Sequence, residues 1–306
     1  MLDLSQHRIS LRPADLSDAL LTADAIWSDD VLGFEATAQT LVEIISHCTY
    51  PLTMCLNSTW GTGKTFFMRR FCAQYCKGEN NTSSYQAIYF NAWEDDSVSD
   101  PLLAILGQLY KCFANDKDMK GLVVDAAKSL PKILANVGWK VWKEAHPVVG
   151  GVVDGIASAC TSRSEGVLDE YLQQVASRSQ LRHGLADLAN KVAADTGRPL
   201  VFVIDELDRC RPLFAIEMLE RVKHLFNVPN VVFLFGVDCE QLQKSICAVY
   251  GEVDAANYLH RFFDIEIKLP ESDLGRFFFM LCKRHGVLDE DTAHFSKRHI
   301  PVLHKR

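Results

Sequence analysis

Two short stretches carry residue types that suit one kind of chemistry. The first is Ser58-Thr59-Trp60-Gly61-Thr62-Gly63-Lys64-Thr65, and the second is Asp205-Glu206-Leu207-Asp208-Arg209. In the first, Gly61 and Gly63 allow main-chain conformations that other residues resist, so the amides from Ser58 through Gly63 can converge on one anion. Lys64 is placed to reach the β and γ phosphates of a nucleotide, and the Thr65 hydroxyl to ligate magnesium. The expected ligand is a purine nucleoside triphosphate with Mg²⁺, read as ATP. The usual pattern opens on glycine where this chain has Ser58, a change that is tolerable if the backbone there keeps a negative φ. In the second stretch, Asp205 would hold the magnesium through a water and Glu206 would take the proton of an attacking water. The competing reading makes both acids solvated strand-end carboxylates.

Neighbouring positions admit two readings each. Arg209 either pairs with Asp208 or is presented to a γ-phosphate in a neighbouring subunit. Asp238 either senses the γ-phosphate or caps the helix that starts at Cys239.

These residues need rigid elements to position them. Leu52 to Leu56 is an apolar run that leads into the glycine turn, and a helix follows through Phe66, Phe67, Met68 and Phe71. That strand, turn and helix order is the context a phosphate loop requires. Ala87 to Phe90 reads as a second strand, and Pro101 opens a helix. Leu200 to Ile204 and Val231 to Val237 are continuous apolar runs of the kind a parallel sheet buries on both faces. Helices are expected over 35–48, 213–226, 239–250 and 255–263, and a last strand over 265–269. Strands alternating with helices give an α/β fold of three layers with a mostly parallel sheet. Residues 115–198 are rich in helix signals and form a helical insertion. The expected organisation is therefore 1–114 and 199–306 as the two parts of one core, with 115–198 between them.

Composition limits the partners. A net charge of −7 over 306 residues leaves no basic surface for general nucleic-acid binding. Nucleic acid is left only a local patch, the best being the tail around Lys297, Arg298, Lys305 and Arg306, which also reads as a solvated terminus. Ten cysteines are scattered without a secretory signal, which suits a reduced, cytoplasmic setting. Cys72 and Cys76 have no second pair at zinc spacing. The most apolar stretch, Pro147 to Cys160, is short, glycine-rich and broken by Asp154, so no membrane span is expected. A membrane-peripheral or partner contact remains open there.

Taken together, the motifs resemble the KAP family of P-loop NTPases. The matching residues are WGTGKT at Trp60 to Thr65, FNAW at Phe90 to Trp93, VFVIDELDRC at Val201 to Cys210, and Tyr258-Leu259-His260-Arg261 leading to Leu269-Pro270. Leu32-Gly33-Phe34 also looks like the family's opening motif. The resemblance implies an ATPase of the additional-strand type, in which another strand separates the one bearing Asp205 from the phosphate-loop strand. It also implies adenine contacts at Leu32 and Gly33 and a role near the nucleotide for Arg261. The family often has aspartate where this chain has Glu206. Bacterial relatives are linked to phage exclusion or defence, and animal relatives act as scaffolds at membranes. Two functions follow as expectations: an ATP-hydrolysing switch that self-associates or engages a protein through the insertion or the C-terminal region, and an ATP-holding scaffold with little turnover.

Overall fold

The computed structural model describes residues 26–27, 30, 32–76, 86–97, 100–127 and 167–270. The elements are α1 (Phe34–Ser46), β1 (Leu52–Asn57), α2 (Lys64–Cys76), β2 (Ala87–Asn91), α3 (Pro101–Cys112), α4 (Lys117–Ala127), α5 (Val167–Thr196), β3 (Leu200–Asp205), α6 (Pro212–Leu225), β4 (Val231–Val237), α7 (Cys239–Tyr250), α8 (Ala255–Leu259) and β5 (Ile265–Lys268), with a 3₁₀ turn at Leu207–Arg209. The strand order is β2-β3-β4-β1-β5, and every pairing among them is parallel. This is the fold of a P-loop NTPase, and β4 separates β1 from the strand that ends in Asp205.

Alternation along the central strands explains the three layers. On β3, Phe202 and Ile204 face one apolar cluster, while Val201 and Val203 face the other. The first cluster takes in α3 to α7 and the second takes in α1 and α2. With both faces covered, β3 and β4 are buried along their whole length, as their unbroken apolar sequences predict. Phe202 stacks on Phe233 with centroids 4.7 Å apart, and Phe226 meets both edge-on, a geometry aromatic quadrupoles favour.

Local signals set the helix starts. The Asp100 side chain accepts from the Leu102 amide, Pro101 follows at the first helical position, and Arg221 of α6 pairs with the same carboxylate at 2.8 Å. The expected helix over 255–263 ends early, at Leu259. Past it the chain tightens into i,i+3 bonds, from the Arg261 amide to the Tyr258 carbonyl and from the Phe262 amide to that of Leu259, and the Phe262 and Phe263 rings pack on Tyr258 and Phe235. Helices α4 and α5 lie against each other through Gly184, where an added Cβ would sit 2.8 Å from the Ala126 Cβ. Leu181, Leu185, Leu188 and Val192 are buried at helical spacing along α5. The stretch Pro147 to Cys160 and the basic tail lie outside the described residues. Among the described residues, no helix is long and apolar enough to cross a membrane.

The packing of α4 on α5 can be tested with a pair of substitutions. Gly184→Ala forces a methyl group to within 2.9 Å of the Ala126 Cα. The cost, about 1–3 kcal/mol of overpacking, outweighs the gain of about 1 kcal/mol in helix propensity. Gly121→Ala on α4 meets nothing within 4 Å and gains about 1 kcal/mol. Urea midpoints should therefore fall for the first variant and rise for the second.

Candidate functional site

Ser58 to Gly63 bridge the end of β1 and the start of α2. Gly61 and Gly63 take φ of 83° and 97°, the left-handed region in which only glycine is at ease. Ser58 is not among the positive-φ residues, so the departure from glycine carries no backbone strain. Its amide donates to the Val237 carbonyl at 3.1 Å, and its hydroxyl is hydrogen-bonded to that of Thr62. An added Cβ on Gly63 would lie 3.2 Å from the Phe34 ring and 3.6 Å from the Leu32 side chain. The segment Leu32 to Phe34 thus packs directly on the loop, with Gly33 itself at φ 73° and exposed.

The Lys64 ammonium is buried and donates to the Ser58 and Thr59 carbonyls, the latter at 3.0 Å. Burial lowers its pKa, while the charges of Asp208, Asp238 and Asp205 act in the opposite sense. Phosphate oxygens would compete for this ammonium against two neutral carbonyls, and charge-assisted bonds are the stronger kind.

At the tip of β3, Asp205 is 1% exposed. Its carboxylate accepts from the Tyr89 hydroxyl and from the Glu206 amide, both at 2.9 Å. The Thr65 hydroxyl favours the charged form of this carboxyl, and the Trp60 indole donates to Asp208 three residues on, which joins the two stretches that the sequence places far apart. Burial pushes the Asp205 carboxyl above the usual range, against the pull of the Thr65 and Tyr89 hydroxyls. Glu206 follows with φ 60°, a costly conformation for a residue with a side chain and one that tends to occur at functional sites. Its carboxylate pairs with Arg209 at 2.8 Å, and the guanidinium lies 5.7 Å from the centre of the Trp93 ring. Of the two readings of Arg209, the pair with Asp208 is not formed. Asp208 instead accepts from the Trp60 indole at 2.5 Å, because the 3₁₀ turn brings residue 209 back over 206.

Two further positions divide. Asp238 caps α7, its Oδ1 accepting from the Glu240 and Gln241 amides at 3.1 and 3.3 Å, while its charge still acts on Lys64. Arg261 is exposed in the turn before β5. Three residues on, Asp264 accepts the Thr53 amide near the amino end of β1, away from the end at which the phosphate loop leaves. Arg261 is therefore not brought to this chain's own loop.

Sequence reasoning missed Tyr89, Arg69, Gly236 and the partner of Trp60. A tyrosine in an apolar strand needs a partner for its hydroxyl, and that was the available signal for Tyr89. Arg69 on α2 holds the same tyrosine, with its guanidinium 5.3 Å from the ring centre. Gly236 leaves room for the acid, since an added Cβ would lie 3.2 Å from the Asp205 Oδ1 and 3.0 Å from the Met68 Cε.

The residues present fit a magnesium nucleotide. Among the described residues, no group of three or more His, Cys, Asp and Glu gathers to hold a metal. Thr65 and Asp205 supply one hydroxyl and one carboxylate, and magnesium at such sites completes its shell with phosphate oxygens and water.

Asp205 is costly to the fold itself. An acid whose folded pKa lies above its unfolded value of about 3.9 stays protonated longer in the folded state, so stability declines as pH rises through that window. Asp205→Asn should raise the melting temperature of the nucleotide-free chain at neutral pH. The same variant should lose the magnesium dependence of nucleotide binding.

A family model described as the KAP family P-loop domain matches residues 34–295. No curated protein matches. Among solved structures, the chain is similar to the ORC2 protein of Aeropyrum pernix in its ADPNP–ADP complexes, with 9% identity and a TM-score of 0.39, covering 88% of this chain and 57% of that one. The ADP form of the same protein matches at 11% identity and a TM-score of 0.36, over 88% and 55% of the two chains. The chain thus spans somewhat more than half the length of these structures. With the family model covering most of its length, the chain belongs to the KAP family of P-loop NTPases.

Proposed function

We propose that this chain is a magnesium-dependent ATPase that works as a nucleotide-driven switch. The observation that carries the reading is the meeting of the phosphate loop with the acidic turn: the Trp60 indole donates to Asp208, and the charges of Asp208 and Asp205 act on Lys64, with Glu206 between the two acids. The loop amides and Lys64 hold the β and γ phosphates, and Leu32 and Gly33 stand beside the loop where the base would lie. Thr65 and Asp205 hold the cation. Magnesium, when bound, neutralises charge on the phosphate oxygens and stabilises the leaving group. Glu206 accepts a proton from the attacking water as its oxygen bonds to the γ-phosphorus and the bond to the β-phosphate oxygen breaks, giving ADP and phosphate. Arg209 orients the Glu206 carboxylate through their ion pair. Asp238 sits between the cap of α7 and the field of Lys64, and so links the γ-phosphate position to that helix.

Arg261 is assigned to a second copy. Its exposure and its distance from the local loop suit a guanidinium offered to the γ-phosphate of a neighbouring subunit, where it would stabilise transition-state charge. Self-association would then be part of catalysis. A switch of this kind suits the phage-exclusion role associated with bacterial relatives, and plaque counts in a host expressing the protein test that role.

One observation favours a second reading, an ATP-holding scaffold with little turnover: Glu206, the proposed base, is already engaged by Arg209. Phosphate release measured across protein concentration separates the two. The switch predicts turnover per subunit that rises with concentration, and the scaffold predicts none at any concentration. Glu206→Gln should lower turnover by about 100-fold or more while ATP remains bound. Arg261→Ala should abolish the rise with concentration.

A further inference from the structure

Asp208 is not used by the chemistry proposed above, yet it bonds to the tip of the phosphate loop and its charge acts on Lys64 at the loop's end. Its carboxylate accepts the indole N–H of Trp60 at 2.5 Å, across 148 residues of sequence. Among the groups that favour the charged form of Lys64, it is the strongest. Asp208 itself is 7% exposed, whereas the Trp60 ring that reaches it is 51% exposed. A large apolar ring left half in solvent, with its one polar atom turned inward to a buried carboxylate, is held there by that bond more than by packing.

The two residues sit on the two halves of the site. Trp60 immediately precedes Gly61, whose φ is 83°, so the ring is attached at the most adaptable part of the loop. Asp208 lies in the 3₁₀ turn that begins after Glu206, itself at φ 60°. A shift of the acidic turn therefore moves the anchor of the loop tip, and a shift of the loop moves the turn that carries Glu206.

From this we infer that Trp60 and Asp208 are a pair of positioning residues that fix the phosphate loop against the acidic turn, setting the distance between the bound phosphates and the water held by Glu206. The inference rests on the ATPase reading for its kinetic consequence, but not for its structural one. Nucleotide binding uses the loop amides and Lys64, which the pair leaves in place. Losing the pair therefore costs register, and so turnover, more than affinity.

The test is a set of three variants with two readouts. Trp60→Phe removes the donor and keeps a ring at an exposed position, so the fold should survive. Asp208→Asn keeps an oxygen that can accept the indole bond, and Asp208→Ala removes it. In the nucleotide-free chain, hydrogen exchange at the amides of Thr59 to Gly63 should speed up in Trp60→Phe and Asp208→Ala alike, and less in Asp208→Asn. In steady state, Trp60→Phe should lower kcat by about tenfold and change the Kd for Mg-ATP by less than about threefold. The double variant Trp60→Phe with Asp208→Ala should be no worse than Asp208→Ala alone, the signature of a coupled pair. Unchanged loop exchange in Trp60→Phe, or kinetic effects that simply add, overturns the inference. A wild-type chain that shows no turnover overturns the ATPase reading instead, and the exchange data then still decide whether the pair fixes the loop.

Discussion

Lys64 carries a positive charge into a place where burial disfavours it, and Asp208, Asp238 and Asp205 are the groups that offset the cost. Each of the three comes from a different part of the chain: the tip of β3, the turn after it, and the start of α7. The parallel sheet is what gathers them. Asp205 pairs in register with Gly236 of β4, and Gly236 pairs with Leu56 of β1, so three strand ends stop side by side at one edge. Binding at the carboxyl ends of a parallel sheet follows from this arrangement. The side chain missing from Gly236 gives the Asp205 carboxylate its space.

The same gathering explains why the site is strained. Asp205 is desolvated, and its carboxyl is pushed up by burial. Glu206 adopts a left-handed backbone conformation, and Lys64 is depressed by burial. None of these features helps the fold, and each has a use if a magnesium polyphosphate supplies the missing charges and oxygens. A site that is unfavourable alone and satisfied by its ligand is a good receptor for that ligand, since binding adds stability only to the folded state.

Much of the fold was legible in the residues. The unbroken apolar runs at β3 and β4 announced strands buried on two faces, and the glycine turn between a strand and a helix placed the loop. The pairings of the acidic turn were not legible. The sequence offered Arg209 either Asp208 or a neighbouring subunit's γ-phosphate, but a 3₁₀ turn makes residues three apart face each other, so Arg209 meets Glu206. Trp60 to Asp208 and Tyr89 to Asp205 are contacts between elements distant in sequence, and only the strand order brings them together. The end of α8 was misjudged because Phe262 and Phe263 continue the apolar spacing of a helix, while the backbone has already tightened into i,i+3 bonds after Leu259. Arg261 matched a motif by its neighbours, and only the register of β5 reveals which end of the sheet it occupies.

Calorimetric titration of the intact chain with Mg-ATP tests the central claim most directly, with Lys64→Ala as its partner. The account predicts a saturable heat for the wild-type chain, with affinity lost by at least about tenfold in the variant, as removal of a charge-assisted phosphate contact requires. No heat from the wild-type chain, or equal affinity in Lys64→Ala, would contradict it.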